Sequence, residues 1–550
     1  MIKQQIRDDI TEVLGKLGLQ WSDGYTIEIP GNPEHGEYSS NVALVNAKAN
    51  GLKPRDLAEQ IAEQLRKKRT YRKLDIAGPG FLNLTLSNRV YQRALEAITE
   101  AGDDYGNSNH GNGQKILIEF ISANPTGPLN IVSARAAAYG DTLHRIMQRA
   151  GYESQREFYI NDAGNQVDIL AESIELRYRE LQGENIGEFP VEAYHGEYVK
   201  DLAHQINTLE GTKLLNLSER DRLEKMKEFA LQEIHQMQRT SLERFDVDFD
   251  NWVSEKALRA QGMVEEVLSF LAEAGCTYEM DDAVWFSSTK FGDEKDRVLM
   301  KSDGSFTYLV PDIAYHLSKI QRGFDILIDV LGPDHHGHVA KLRAAMRALN
   351  FNDERLEVVF LQQVNLFMEG EKVKMSKREG RIITMDDLID EVGRDAARFF
   401  FIDRRPSTHL NFDLELAKKQ SAENPVYYCQ YAHARIHSIL KKAKKAKITL
   451  KDFDTKELKR LEREDEVLII KKMLEYPHVL SAAAEYREPH RLAEYVKELA
   501  GMFHKYYQST PIVNEKAPGM SQARLYLITT VKCVLANAFG IMGISAPQKM

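Results

Sequence analysis

The 550-residue sequence predicts a multidomain α/β protein, with a parallel-sheet core between an N-terminal α+β domain and an all-α C-terminal domain. Three observations carry this. Near-continuous apolar runs, "KILIEFIS" (115–122), "DILIDVLG" (325–332) and "LEVVFLQQV" (356–364), are each followed by a helical pattern. Runs of that kind suit a parallel sheet covered on both faces. The first 110 residues open on a helical apolar stripe (Ile2, Ile6, Ile10, Val13, Leu17) and end in the β-like "LDIAGPGFLNLTLS". After "NPVYY" (424–428) the pattern is helical to the last residue.

Length allows about three to four domains at ~150 residues each. The composition shifts place them at 1–110, 111–423 and 424–550. The polar, glycine-rich "AGDDYGNSNHGNGQ" (101–114) is expected to be a linker. Charged helical sequence around 165–280 is expected to be an insertion into the central domain.

Composition narrows the class. With 43% hydrophobic and 28% charged residues the chain reads as an ordinary globular protein. Cys276, Cys429 and Cys533 lie far apart and form no CxxC. That argues against a disulfide framework or a cysteine zinc site and for a reducing, cytoplasmic setting. The charged N-terminal stripe is no signal peptide, and no run approaches the ~18 apolar residues of a membrane span. A net charge of −9 argues against polyanion binding over the whole surface. Two basic runs, "RKKRTYRK" (66–73) and "KKAKKAK" (441–447), can serve phosphates locally, although such runs are more often solvated helix faces.

Four segments carry chemistry. "SANPTGPLNIVSAR" (122–135) joins a strand to a helix, where unpaired N–H groups and the helix dipole favour an anion. Many strand–turn–helix units bind nothing, so this signal is weak alone. "GEKVKMSKREGRI" (370–382) is a glycine-flanked basic loop with Lys374, Lys377 and Arg378. It can close on a triphosphate or simply be solvated. In "TYLVPDIAYH" (307–316), Tyr308 and Asp312 stand four apart and share a helix face, provided Pro311 falls in the first turn. By itself that pair also fits a core tyrosine and a helix-start aspartate. Glu119, inside an apolar strand, needs a partner or a ligand cation. His335, His336 and His338 do not have a familiar zinc spacing.

Spelling and order add more. "EFISANPTGPL", "REFYINDAGNQ", "GSFTYLVPDIAYH", "GPDHHGHV", "KMSKREG", "NPVYYCQYAHARI" and "GISAPQKM", with "AGPGFLNLTLS" near the start, together resemble bacterial-type arginyl-tRNA synthetase. They stand in family order over nearly the whole chain, and "KMSK" is the second signature of class I aminoacyl-tRNA synthetases. The resemblance implies a Rossmann-type catalytic domain, an N-terminal domain that contacts transfer RNA and a C-terminal anticodon-binding domain. It implies ATP-dependent activation of L-arginine to arginyl-adenylate, generally with transfer RNA present. The arginyl group then passes to the 2′-hydroxyl of the terminal adenosine of tRNA(Arg).

By the same resemblance, ATP would lie against Pro125, Thr126, Gly127, Pro128, Asn130, Val132, Ser133, Lys374, Met375, Ser376 and Lys377. Of these, Asn130, Ser133, Lys374 and Lys377 would act catalytically. Arginine would be held by Glu119, Ser122, Asn124, Tyr308, Asp312 and His335, and the transfer RNA D-loop by Phe81 and Asn83. Magnesium would come with ATP, with no zinc or other protein-held metal, in a monomer that binds no membrane.

One segment departs from the pattern. The first signature of the class, near His-Ile/Val-Gly-His, is here Asn130-Ile131-Val132-Ser133. Asn130 can donate a hydrogen bond but carries no charge. Ser133 can donate, and it can also cap the helix. Val132 projects a branched side chain where adenine would pack. The preferred reading is a working synthetase helped by Arg135, Lys374 and Lys377. A paralogue that binds transfer RNA without activating arginine, or a different nucleotidyl transferase, are the alternatives.

Overall fold

The computed structural model describes residues 2–373, 383–451 and 453–550. In the N-terminal domain the helix Ile2–Lys16 buries Ile2, Ile6, Ile10, Val13 and Leu14, the stripe read from the sequence. Beside it stands a four-stranded antiparallel sheet, in the order Ile27–Glu28, Tyr38–Ser40, Phe81–Leu86, Tyr71–Ala77. The basic run 66–73 is partly spent inside the domain. Lys68 donates to Asp9 at 2.7 Å, Tyr71 to the same carboxylate at 2.9 Å, and Arg66 to the carbonyl of Leu74 at 3.2 Å.

The stretch 101–114 is not the loose linker its composition predicts. Tyr105 is buried and donates to the carbonyl of Met473 at 2.9 Å, and Asn537 donates to the carbonyl of Gly102 at 2.9 Å. Its glycines permit close packing rather than freedom. A Cβ on Gly111 would lie 2.4 Å from the Tyr152 ring.

The central domain holds a five-stranded sheet of β1 (Lys115–Glu119), β2 (Glu153–Ile160), β3 (Asn251–Ser254), β4 (Ile326–Leu331) and β5 (Leu356–Phe360). The order is β5-β4-β1-β2-β3, and every neighbouring pair is parallel. Ile116, Leu117, Ile118, Leu327 and Ile328 are buried, which explains the unbroken apolar runs. Chain progress reverses at β1, so its carboxyl end is the switch point at which such sheets bind ligands.

The helices that bear on this end are α1 (Ile131–Arg149), α2 (Asn165–Leu181), α3 (Glu197–Glu210), α4 (Glu219–Arg244), α5 (Leu309–Gln321), α6 (His336–Ala348) and α7 (Met385–Val392). Gly140 lets α1 pack on the sheet, because a Cβ there would lie 2.3 Å from the Phe120 ring. Helices α2 to α4 form the expected insertion with a separate apolar core that includes Leu170, Ile174, Leu202 and Ile234. Its extent is corrected, since β3 at 251–254 returns to the main sheet as an edge strand. Four residues offer too short a periodicity to read.

Between β3 and α5 lies a three-stranded antiparallel sheet, Thr277–Met280, Ala283–Phe286 and Arg297–Met300. The single run 356–364 also divides. Its first five residues are β5, whereas Val364–Met368 belongs to a small sheet with Glu371–Lys372 and Leu410–Asp413. The C-terminal part is helical, with Pro425–Lys445, Glu464–Glu485, His490–Ser509 and Pro518–Met542. The last of these is long and apolar enough to span a membrane, but 67% of its most apolar window is buried against the rest of the protein.

Candidate active site

The loop after β1 carries two consecutive non-glycine residues in the left-handed region. Ile121 and Ser122 have φ of +72° and +42°, a region that costs a β-branched residue free energy and persists only where surroundings impose it. The conformation turns the Ser122 hydroxyl back to donate to Glu119 Oε1 at 2.7 Å, while Tyr159 N–H donates to Ser122 Oγ at 3.2 Å. Pro125 and Thr126 are buried, Gly127 and Pro128 half-buried. The turn then enters α1 at Asn130, whose Oδ1 accepts from the N–H groups of Val132 (2.9 Å) and Ser133 (3.1 Å). Asn130 is therefore the helix cap, not Ser133, and only its Nδ2 is left to donate. Val132 is 42% exposed and projects away from the core.

Arg135 is corrected as well. It is buried, and it donates to the carbonyls of Gln362, Arg405 and Thr408. Its guanidinium ties α1 to neighbouring loops and is not directed to a phosphate. The residues that follow the second signature in sequence meet the first turn: Met385 N–H donates to Leu129 O at 2.8 Å, and Thr384 bridges Asn130. Lys374, Met375, Ser376 and Lys377 themselves lie outside the described residues.

Across the sheet, Asp329, Glu119 and Glu157 are register neighbours on β4, β1 and β2. Three carboxylates side by side repel unless cations answer them, and α5 supplies the answer. Lys319 Nζ donates to Glu119 at 2.5 Å and to Asp329 at 2.8 Å, His316 Nε2 lies 2.8 Å from Asp329, and Arg322 donates to Glu157 at 2.5 and 2.9 Å. Lys319 also lies 4.2 Å from the Tyr315 ring centroid. Burial and Lys319 pull the His316 pKa down, but Asp329 and Asp312 outweigh both and leave it at about 10.

Glu119, read as needing a partner or a ligand, thus has its partner within the chain. Glu119, His316 and Asp329 are spaced closely enough to ligate a metal, yet Lys319 places the protein's own cation among them.

Asp312 stands at the outer end of this row. Pro311 does fall in the first turn of α5, with Tyr308 as the preceding residue. Asp312 pairs with His316 Nδ1 at 3.3 Å and with His338 of α6. Burial pushes the carboxyl up, but His316 and His338 hold it well below the usual carboxylate range. Its side chain keeps 25% exposure, against 4% for Asp329 and 0% for Glu157. Asp312 is the acid of the group that a solvent-borne cation can reach. Tyr308, 77% exposed, stands free beside it.

Among the histidines, His338 rather than His335 meets Asp312. His335 is exposed ahead of α6 and His336 stacks on Phe360 at 3.6 Å, so entry into the helix turns position 338 toward α5. Asn124 is exposed and donates to Gln166 at 2.7 Å. Far from this site, Phe81 is 39% exposed, but Asn83 is buried and accepts from Ser39 at 2.9 Å. The pairing of ring and amide expected for a nucleobase is reduced to the ring.

Sequence reasoning did not find Asp329, His316 or Lys319. Asp329 interrupts an apolar strand as Glu119 does, and the same argument applied to "DILIDVL" would have flagged it. His316 and Lys319 follow Asp312 by four and seven residues on one face of α5.

A parallel sheet with a strand–turn–helix unit at its switch point, in a chain that also carries a "KMSK" segment, fits a class I tRNA synthetase. The family model "tRNA synthetases class I (R), catalytic domain" matches residues 95–438, "Arginyl tRNA synthetase N terminal domain" residues 2–86 and "DALR anticodon binding domain" residues 429–550. The arginine–tRNA ligase of Syntrophotalea carbinolica is 46% identical over 556 residues, covering 100% of each chain. That of Bacillus licheniformis is 43% identical, covering 100% of this chain and 99% of its own. The Thermus thermophilus arginyl-tRNA synthetase shares the fold over 100% of both chains, with TM-score 0.72 and 21% identity. The chain belongs to the arginyl-tRNA synthetase family.

Proposed function

We propose that the site at the carboxyl end of β1 performs the family's reaction, ATP-dependent ligation of arginine to its transfer RNA, with the following division of labour. A carboxylate oxygen of arginine attacks the α-phosphorus of ATP, the bond from that phosphorus to the bridging oxygen breaks, and pyrophosphate leaves with the electron pair. The 2′-hydroxyl of the terminal adenosine then attacks the carbonyl carbon of arginyl-adenylate, expelling AMP and releasing its proton. Asn130 Nδ2, the Ser133 hydroxyl and the N-terminus of α1 receive the phosphates. Pro125 to Pro128 and Val132 border the adenosine, while Lys374 and Lys377, with Met375 and Ser376, neutralise the leaving pyrophosphate. Asn124 meets the amino-acid end of arginine, and Ser122 and Glu119 set the floor beneath it. The exposed Tyr308 ring closes over the guanidinium.

Asp312 carries the reading: it is the carboxylate at the open end of an otherwise neutralised row, and a guanidinium can engage it through paired hydrogen bonds. Magnesium arrives bound to ATP, with no protein-held zinc. The enzyme works in the cytoplasm as a monomer without a membrane partner. Residues 1–110 with Phe81, and 424–550, contact transfer RNA on either side of the catalytic domain at 111–423.

The test is arginine-dependent pyrophosphate exchange and charging with transfer RNA present, for the parent and for Asp312→Asn. Losing one charge-assisted pair should raise the arginine KM about 10- to 100-fold with transfer RNA affinity unchanged. An unaltered arginine dependence removes Asp312 from the pocket. Transfer RNA binding without any exchange or charging by the parent would favour the paralogue without activation.

A further inference from the structure

The carbonyls of the turn 124–127 point at the insertion, and side chains from it satisfy them. Gln238, 2% exposed on α4, donates through Nε2 to Gly127 O at 2.9 Å and to Asn124 O at 3.3 Å. Tyr198 of α3 donates its hydroxyl to Thr126 O at 2.7 Å. Its ring lies 3.1 Å from the position of a Cβ on Gly127. Gln166 of α2 accepts from Asn124. All three insertion helices therefore grip this one turn.

The same face of α4 continues to α7, the helix that follows the other signature in sequence. Ser241 and Arg244, one and two turns beyond Gln238, bond Asp386 on α7, and Arg244 also bonds Asp390. The start of α7 closes the circuit through Met385 N–H to Leu129 O. A turn rich in glycine and proline has few backbone partners of its own, and buried carbonyls need donors. Here those donors come from a subdomain with a separate core.

We propose that Gln238, seconded by Tyr198, is a positioning residue for adenylate formation, setting the turn 124–127 relative to the phosphates and to the start of α7. Gln238 touches no substrate and acts only through the turn. The inference rests on the reading of that turn as the ATP site. A displacement of about 1 Å at reacting groups costs on the order of 10²-fold in rate, so losing part of the grip should cost less than that but remain measurable.

The experiment measures pyrophosphate exchange with transfer RNA present for Gln238→Met, which keeps the shape and loses the donor, and for Tyr198→Phe, which loses only the hydroxyl. Expected is a fall in kcat of about tenfold for Gln238→Met and a few-fold for Tyr198→Phe, with the arginine KM and transfer RNA affinity within twofold of the parent. A purely structural role would instead lower the melting temperature and leave kcat per folded molecule unchanged, and would overturn the proposal. So would a raised arginine KM at constant kcat. If Gln238→Met does not fold, Tyr198→Phe decides by the same criteria. Asn130→Ala separates the two levels: if it cripples exchange while both insertion variants are silent, this inference alone fails. If all three are silent, the turn is not the ATP site.

Discussion

His144 lies on the buried side of α1, with Nδ1 3.0 Å from Ser154 Oγ and only 4% exposure. Burial, reinforced by Arg156, depresses its pKa to about 4, against the pull of Asp250 and Asp141. The folded protein therefore keeps this imidazole neutral where an unfolded chain, at about 6.5, takes up a proton. The stability tied to His144 is whole above pH 6.5 and is lost as pH falls from 6.5 toward 4, because the unfolded state binds more protons in that window. Up to roughly 3 kcal/mol is at stake. His144→Gln should flatten the fall in denaturation midpoint between pH 6.5 and 4, and an unchanged slope would mean the acid sensitivity lies elsewhere. In the row Asp329–Glu119–Glu157, which Lys319, His316 and Arg322 reach from α5, only Asp329 obeys the opposite logic: burial pushes its carboxyl up, but Lys319 and His316 hold it well below the usual carboxylate range. Glu119 stays above that range, because burial and the neighbouring Asp329 outweigh Lys319. Asp312 differs from the row in being left to two imidazoles and to solvent.

At the scale of the element, the N-terminus of α1 combines two tasks in Asn130, an acceptor for the helix and a donor for the phosphates. Asn130→Asp separates them. An aspartate caps as well as asparagine, so the melting temperature should hold. It offers no donor and brings a negative charge toward the triphosphate, so exchange should fall on the order of 10²–10³-fold. Full activity in Asn130→Asp would show that the helix N–H groups alone carry the phosphates. This double use also explains what the sequence could and could not disclose. The periodicities of Ile116–Ile118 and Leu327–Ile328 and the helical stripe of Ile2 to Val13 depend on local burial and were legible. Asn130, Ser133 and the turn could be located because strand, turn and helix are adjacent in the chain, whereas Asp312 was singled out only by the family resemblance. Asn130 rather than Ser133 as the cap, and His338 as the histidine that meets Asp312, depend on how one helical turn is rotated, which spacing alone does not give. Lys319 with Glu119, and Gln238 with Gly127, join residues 200 and 111 positions apart, and neither partner signals the other in the sequence.

For the whole molecule, α1 is also where the domains meet. Tyr139 donates to the carbonyl of Arg487 at 2.6 Å and Arg145 to that of Gly540 at 3.1 Å, both in the C-terminal helices. Between them Asp141 pairs with Arg398, both side chains 0% exposed, and Arg398 further donates to Met542 O at 2.8 Å and Phe245 O at 3.0 Å. One guanidinium thus joins the signature helix, the loop after the insertion and the end of the last helix. The two partners are not equivalent. Without Arg398, Asp141 keeps Arg145 at 2.9 Å and Arg156 at 3.3 Å as counter-charges. Without the Asp141 carboxylate, Arg398 remains a buried cation facing carbonyls alone. Removing one partner of a buried pair costs about 3–5 kcal/mol when the other charge is left uncompensated. Asp141→Asn should therefore show that full loss in chemical denaturation, and Arg398→Met a smaller one. The double variant should lose less than the sum, because the charges that are unpaired in the single variants are gone. Equal losses, or a greater loss for Arg398→Met, would mean that the carbonyl contacts to Met542 and Phe245 rather than the ion pair hold the C-terminal helices to the catalytic core.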